Sequence, residues 1–187
     1  MPTDINVGQR IVIVGSGGSG KSTLAYALAT CLKIPHISLD AMFWEADWHA
    51  VTDAVFHPRI EKALANAESQ SGGWIVDGDY RGSGNIVFPN TSTMIWLDYA
   101  LWRIAWRISR RSIQQILGGE LLHGGNKQTW QAAFFGNGAL VPYVLRTHTE
   151  VRARYLRLIE DNMYPKMKIV RVQRPTETTQ LLKQIGC

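Results

Sequence analysis

The chain has 187 residues, 45% of them hydrophobic, with 20 Lys+Arg against 15 Asp+Glu for a net charge of +5. That suits one domain with a proper core; no run reaches the ~18 apolar residues of a membrane span, and the start Met1-Pro2-Thr3-Asp4 lacks leader character, so a cytoplasmic location is expected. Cys31 and Cys187 are too few and too scattered for a disulfide framework or a zinc site, which suits a reducing cytosol, and the five histidines lack ligand spacing, so any catalytic metal should arrive with a substrate.

In chain order, the apolar run 11–14 predicts a first strand over 10–15. It is followed by Gly15-Ser16-Gly17-Gly18-Ser19-Gly20-Lys21-Ser22 and a helix-compatible stretch, 21–33. Strand, glycine loop, Lys-Ser and helix together form a phosphate-binding P-loop. The glycines let the backbone turn tightly and aim N–H groups inward, with the positive end of the helix behind them. Residues 15–23, ending at Thr23, are therefore expected to cradle a nucleoside triphosphate. Lys21 would reach the β- and γ-phosphates and Ser22 would hold Mg2+.

Pro35 ends the first helix, and 36–39 predicts a short second strand that stops at Asp40. Apolar spacing gives a helix over 53–67, with Asp53 as its cap. Gly72-Gly73 precedes a third strand, 74–77, ending in Asp77-Gly78, and 94–98 is a fourth, ending in Asp98. A helix over 101–117 places Arg103, Arg107 and Arg110 on one face, with Arg111 adjacent. Residues 118–139 are rich in glycine and aromatics and read as a mobile cover. A helix over 141–162, a fifth strand over 168–172 and a last helix over 177–185 complete the pattern. Alternating strands and helices imply an α/β class: a three-layer α/β/α P-loop nucleoside triphosphate hydrolase fold, five parallel strands and a small lid insertion, in a single domain over 1–187.

Strand-end carboxylates are the next candidates, because ligands of open parallel sheets sit beyond the carboxyl ends of the strands. Asp77 is the expected Mg2+ partner of Ser22, with Asp98 as the fallback. Asp40 faces the acceptor region, where it could bind an acceptor hydroxyl or amine or accept its proton, and Trp44 could wall that pocket. Arg81, four residues after Asp77, is placed to grip the acceptor. Arg107 with Arg110 or Arg111 would neutralise the moving phosphoryl group once the cover closes.

Residues 11–33, Asp77-Gly78-Asp79-Tyr80-Arg81 and the arginine helix resemble the adenylate kinase-like P-loop kinases. More narrowly, the stretch from Ser38 to Trp44, Val76 to Tyr80, Trp96 to Tyr99 and Gly124-Gly125-Asn126 are similar to a branch described as adenylate kinase-related or DNA topology modulation proteins. Adenylate kinases carry threonine-glycine-aspartate where this chain has Ser38-Leu39-Asp40, and their lid zinc pattern is missing here. The resemblance implies ATP and Mg2+, with transfer of the γ-phosphoryl group to a nucleoside monophosphate or another small acceptor, by a monomer or homodimer away from membranes. The alternatives are a nucleotide-gated DNA-associated regulatory protein, with nucleic acid the less favoured partner, or a slow ATPase.

Overall fold

The computed structural model describes residues 5–187 except Arg81, Glu120 and Asn137. Five strands, β1 (Arg10–Gly15), β2 (His36–Ser38), β3 (Trp74–Asp77), β4 (Thr93–Leu97) and β5 (Lys168–Val172), form one parallel sheet in the order β2-β3-β1-β4-β5. Every strand therefore ends at the same edge, and β1 lies in the middle with its glycine loop at that edge.

Among the described residues seven α-helices run between or after the strands: α1 (Lys21–Leu32), α2 (Leu39–Phe43), α3 (Asp53–Ser71), α4 (Ser83–Val87), α5 (Leu101–Gly118), α6 (Leu140–Glu160) and α7 (Pro175–Ile185). Alternation along the central strand serves two cores. Ile11 and Ile13 pack with Leu24 and Leu28 of α1, Ile104 and Ile108 of α5 and Leu181 of α7. Val12 and Val14 face the other way, onto Phe56, Ile60 and Leu64 of α3 and Tyr155 and Leu158 of α6. These buried faces explain why the strands read as nearly unbroken apolar runs.

Several expectations need correction. Strand β2 ends at Ser38, and Asp40 lies in the first turn of α2 rather than at a strand end. Thr52, not Asp53, occupies the N-cap position of α3, which runs four residues past 67 to a left-handed Gly72 (φ 70). The scattered cysteines are also paired. Packing of α7 beside α1 brings Cys187 to Cys31 as a disulfide with the Cα atoms 5.7 Å apart, across 156 residues of sequence. Sequence distance gave no hint of that proximity, and the cysteines lose their force as an argument for a reducing compartment. Among the described residues no helix is long and apolar enough to cross a membrane.

Candidate functional site

Strand β1 delivers the chain at Gly15, and α1 starts six residues later at Lys21. Gly15 has φ 139, and a Cβ there would lie 2.6 Å from the carbonyl oxygen of Leu97. Gly18 has φ 77, and its Cβ would meet Ile108 at 2.9 Å. The loop is thus wedged between β4 and α5, and only glycine fits those two positions. No side chain caps α1 and no acidic residue occupies its first turn, so its first N–H groups and positive end are available to an anion. Lys21 Nζ donates back to the Ser16 carbonyl at 3.3 Å. Burial holds the Lys21 ammonium below its ordinary value, with Asp40 and Asp77 opposing. The Ser16 hydroxyl shares a 2.9 Å hydrogen bond with His148 Nδ1 of α6.

Asp77 pairs in register with Ile13, so β3 carries its carboxylate alongside the loop. The Ser22 hydroxyl donates to Asp77 Oδ2, and His36 Nε2 lies 2.7 Å from Oδ1. Burial pushes this carboxyl up, but the hydrogen bonds from His36 and Ser22 and the charges of His36 and Lys21 outweigh it and hold Asp77 below the usual carboxylate range. Ser22 and Asp77 are hard oxygen donors side by side, which suits magnesium. Among the described residues no cluster of three or more His, Cys, Asp or Glu could hold an ion alone, so phosphate and water would have to complete the shell. Asp98, the fallback, is instead engaged by Arg152 at 3.0 Å and Arg171 at 2.9 Å.

The arginines of α5 separate. Arg107 Nη1 donates to the Ser19 carbonyl at 3.3 Å, and a Cβ on Gly20 would come 3.1 Å from its Nη2. It lies directly on the loop. Arg111 keeps solvent access on one side but is crowded by protein on the other. That burial and the charge of Arg107 lower its pKa, while Asp40 raises it. Arg110 turns outward and sits over Trp106, 5.4 Å from the ring centroid. Sequence reasoning overlooked Trp106 and its neighbour Trp102, 59% and 67% exposed, which with Arg103, Arg107 and Pro175 line a cleft of about 420 Å³. The available signal was two tryptophans four apart on the polar side of a helix.

Across the loop, Tyr80 donates its hydroxyl to Asp40 Oδ1 at 2.5 Å and accepts Trp44 Nε1 at 3.2 Å. Phe43 stacks on Tyr80 at 4.3 Å, and Trp44 meets Trp48 edge-on at 5.8 Å. Burial and Asp40 together push the Tyr80 phenol far up, so it stays a donor. Residues 44–50 fold back through the Trp44–Ala50 bridge, and 121–127 do the same through Leu121–Lys127. Asn126 joins the two: its Oδ1 accepts the Trp48 N–H at 3.0 Å and its Nδ2 donates to the Glu45 carbonyl at 2.8 Å. Gly124 lies flush against Glu45, where a Cβ would come within 2.6 Å of the backbone. The structure therefore joins Asp40 to Trp44 through Tyr80, and the charge of Asp40 opposes the lowering of the Lys21 and Arg111 pKa, while Arg81 lies outside the described residues.

A parallel sheet in this order, with a glycine loop leaving its central strand, defines a P-loop kinase-like fold. A gluconokinase from Sinorhizobium meliloti 1021 shares it with a TM-score of 0.54 and 17% identity, over 97% of this chain and 94% of that one. In sequence, the chain is 29% identical over 136 residues to adenylate kinase 1 of Synechocystis sp., covering 62% of this chain and 67% of that protein. No protein-family model matches the chain. Distant similarity thus runs to small-molecule kinases of two kinds.

Proposed function

We propose that this protein is an ATP-dependent phosphotransferase that moves the γ-phosphoryl group to a small acceptor, a nucleoside monophosphate or another metabolite. The carrying observation is the uncapped, glycine-walled loop with Lys21, the Ser22–Asp77 pair and Arg107 all gathered on it. In this reading the N–H groups from Gly15 to Thr23 and the Lys21 ammonium hold the β- and γ-phosphates. Ser22 and Asp77 would hold Mg2+, which when bound screens the phosphate charge and helps align the chain. Arg107, already on the loop, and Arg111 beside Asp40 supply positive charge where it develops during transfer. Arg110 stays with the tryptophans. The base of the nucleotide stacks in the Trp102–Trp106 cleft, which shares Arg107 with the loop and is lined by two exposed tryptophans.

Segment 118–139 serves as the cover, with Asn126 fastening it to the acceptor side. Excluding water there is what distinguishes transfer from idle hydrolysis. Within this reading the motifs from Ser38 to Trp44 and Val76 to Tyr80 favour the adenylate kinase-related branch. Calorimetry with magnesium-complexed ATP, followed by ADP formation with and without candidate acceptors, tests the proposal. Saturable uptake with acceptor-dependent ADP release is expected. Absence of nucleotide uptake would overturn it.

A further inference from the structure

Strand alternation brings three polar groups to one face of the sheet. Ile37 of β2 and Val76 of β3 belong to the core beneath α3. Their neighbours His36 and Asp77 therefore project from the other face, which α1 covers, and Ser22 is the second residue of that helix. In the parallel pairing Asp77 stands opposite Ser38, and His36 stands opposite Ile75, one same-face step back. The imidazole spans that step: its Nε2 lies 2.7 Å from Asp77 Oδ1, while the Ser22 hydroxyl donates to Oδ2.

Each oxygen of Asp77 thus has its own partner, and the two partners do different work. An ionised carboxylate only accepts, so Nε2–H is the donor, and a neutral ring suffices for it. The terminal torsion of an aspartate is broad, and a single hydrogen bond leaves the carboxylate plane free to swing. A second bond, to the other oxygen, fixes it. The strand itself gains little from the contact, because β2 already pairs with β3 through its backbone along His36–Ser38. The beneficiary is the carboxylate, which is 2% exposed, whereas the imidazole is 23% exposed and replaceable without opening the core.

From these contacts we infer that His36 is a positioning residue for the magnesium site: it anchors Asp77 through Oδ1 and so keeps Oδ2 turned to Ser22, the other expected Mg2+ partner. The inference rests on the phosphotransferase reading above and adds to its metal pair a third member that is not itself a ligand. His36 acts only through Asp77, so its effect should fall on binding that involves the ion and spare binding that does not. Outer partners of metal-binding carboxylates commonly govern metal affinity by about 10- to 100-fold.

The test measures ATP binding by calorimetry twice for each protein, once with excess Mg2+ and once with EDTA. His36→Leu keeps bulk and loses the donor, and it is expected to weaken binding in Mg2+ by about 10- to 100-fold. Binding in EDTA should stay within about twofold of the wild type, because the loop N–H groups carry it. His36→Gln returns an N–H near the place of Nε2 and should recover the Mg2+ value to within about threefold. Should His36→Leu fail to fold, His36→Asn, polar but too short to reach Oδ1, takes its place with the same expectation. A merely structural His36 would lower both affinities together, and that result overturns the inference. Unchanged binding by the loss variant overturns it too, as does a glutamine variant no better than leucine or asparagine. Wild-type binding that ignores Mg2+ removes the ion from Ser22 and Asp77 and the inference with it, while the donor loop stands. Absence of ATP binding by the wild type refutes the phosphotransferase reading itself.

Discussion

The two sides of the candidate site are built from different materials. On the donor side, a continuous stretch from Gly15 to Thr23 presents backbone N–H groups, and its shape is enforced by Leu97 and Ile108 pressing where side chains would be. On the acceptor side, Asp40 and Trp44, Tyr80, and Asn126 come from three separate segments and are joined by hydrogen bonds in which side chains take part. A backbone cradle recognises any polyphosphate, since every N–H is alike. A side-chain assembly recognises one acceptor, because each member can be exchanged. Variants on the two sides should therefore fail differently, the donor side in every reaction and the acceptor side in a selective one.

The largest effect should come from Lys21→Ala. Removal of the Lys21 ammonium from the loop is expected to lower kcat by about 1,000-fold whatever the acceptor, measured as initial ADP release. Retained turnover would misplace the donor site. Arg107→Ala should lower kcat by about 100-fold with a smaller loss of ATP affinity, because its contacts strengthen as charge develops. An equal loss in both would make Arg107 a ground-state contact. Next, Trp106→Ala should weaken ATP binding by roughly tenfold in calorimetry, within the range of a base–aromatic stack. Unchanged affinity would move the base out of that cleft.

How much of this was legible in the chain follows the same division. The P-loop could be read because its determinants are consecutive, whereas helical spacing grouped Arg103, Arg107 and Arg110 on one face of α5 and the structure puts Arg107 on the loop and Arg110 over Trp106. The five strands were legible as apolar runs, and β5 falls on 168–172. Asp40 was misplaced by its setting, since a helix of five residues is too short to show periodicity. Ser22 could be read beside Asp77, but the other partners of the key carboxylates were not legible. Tyr80 is 40 residues from Asp40 and His36 is 41 from Asp77, and nothing local marks either contact. The Cys31–Cys187 bond and the Asn126 bridge are longer versions of the same case.

Asn126→Ala sharpens the contrast on the acceptor side. It leaves the Trp48 N–H and the Glu45 carbonyl without this partner, a cost of about 1–3 kcal/mol where such groups are buried and less at this partly exposed seam. Amide exchange should quicken in residues 44–50 and 121–127 while the P-loop is unaffected. Faster exchange throughout would mean that the bridge supports the whole fold rather than one side of it.

The smallest predicted effect lies on the donor loop, at the His148–Ser16 hydrogen bond. Burial lowers the pKa of His148 and Arg152 adds to that, while Asp98 opposes. The folded pKa thus lies below the value of about 6.5 for a free imidazole. Above that pH the ring is neutral in both states, and its contribution to stability is fully present. As the pH falls from about 6.5 through the folded value, the unfolded chain takes up the proton first, so stability is lost. Between pH 8 and pH 5 the urea midpoint should fall further for the wild type than for His148→Asn. Identical falls would show that His148 contributes no pH dependence and that the loop is held by its glycines alone.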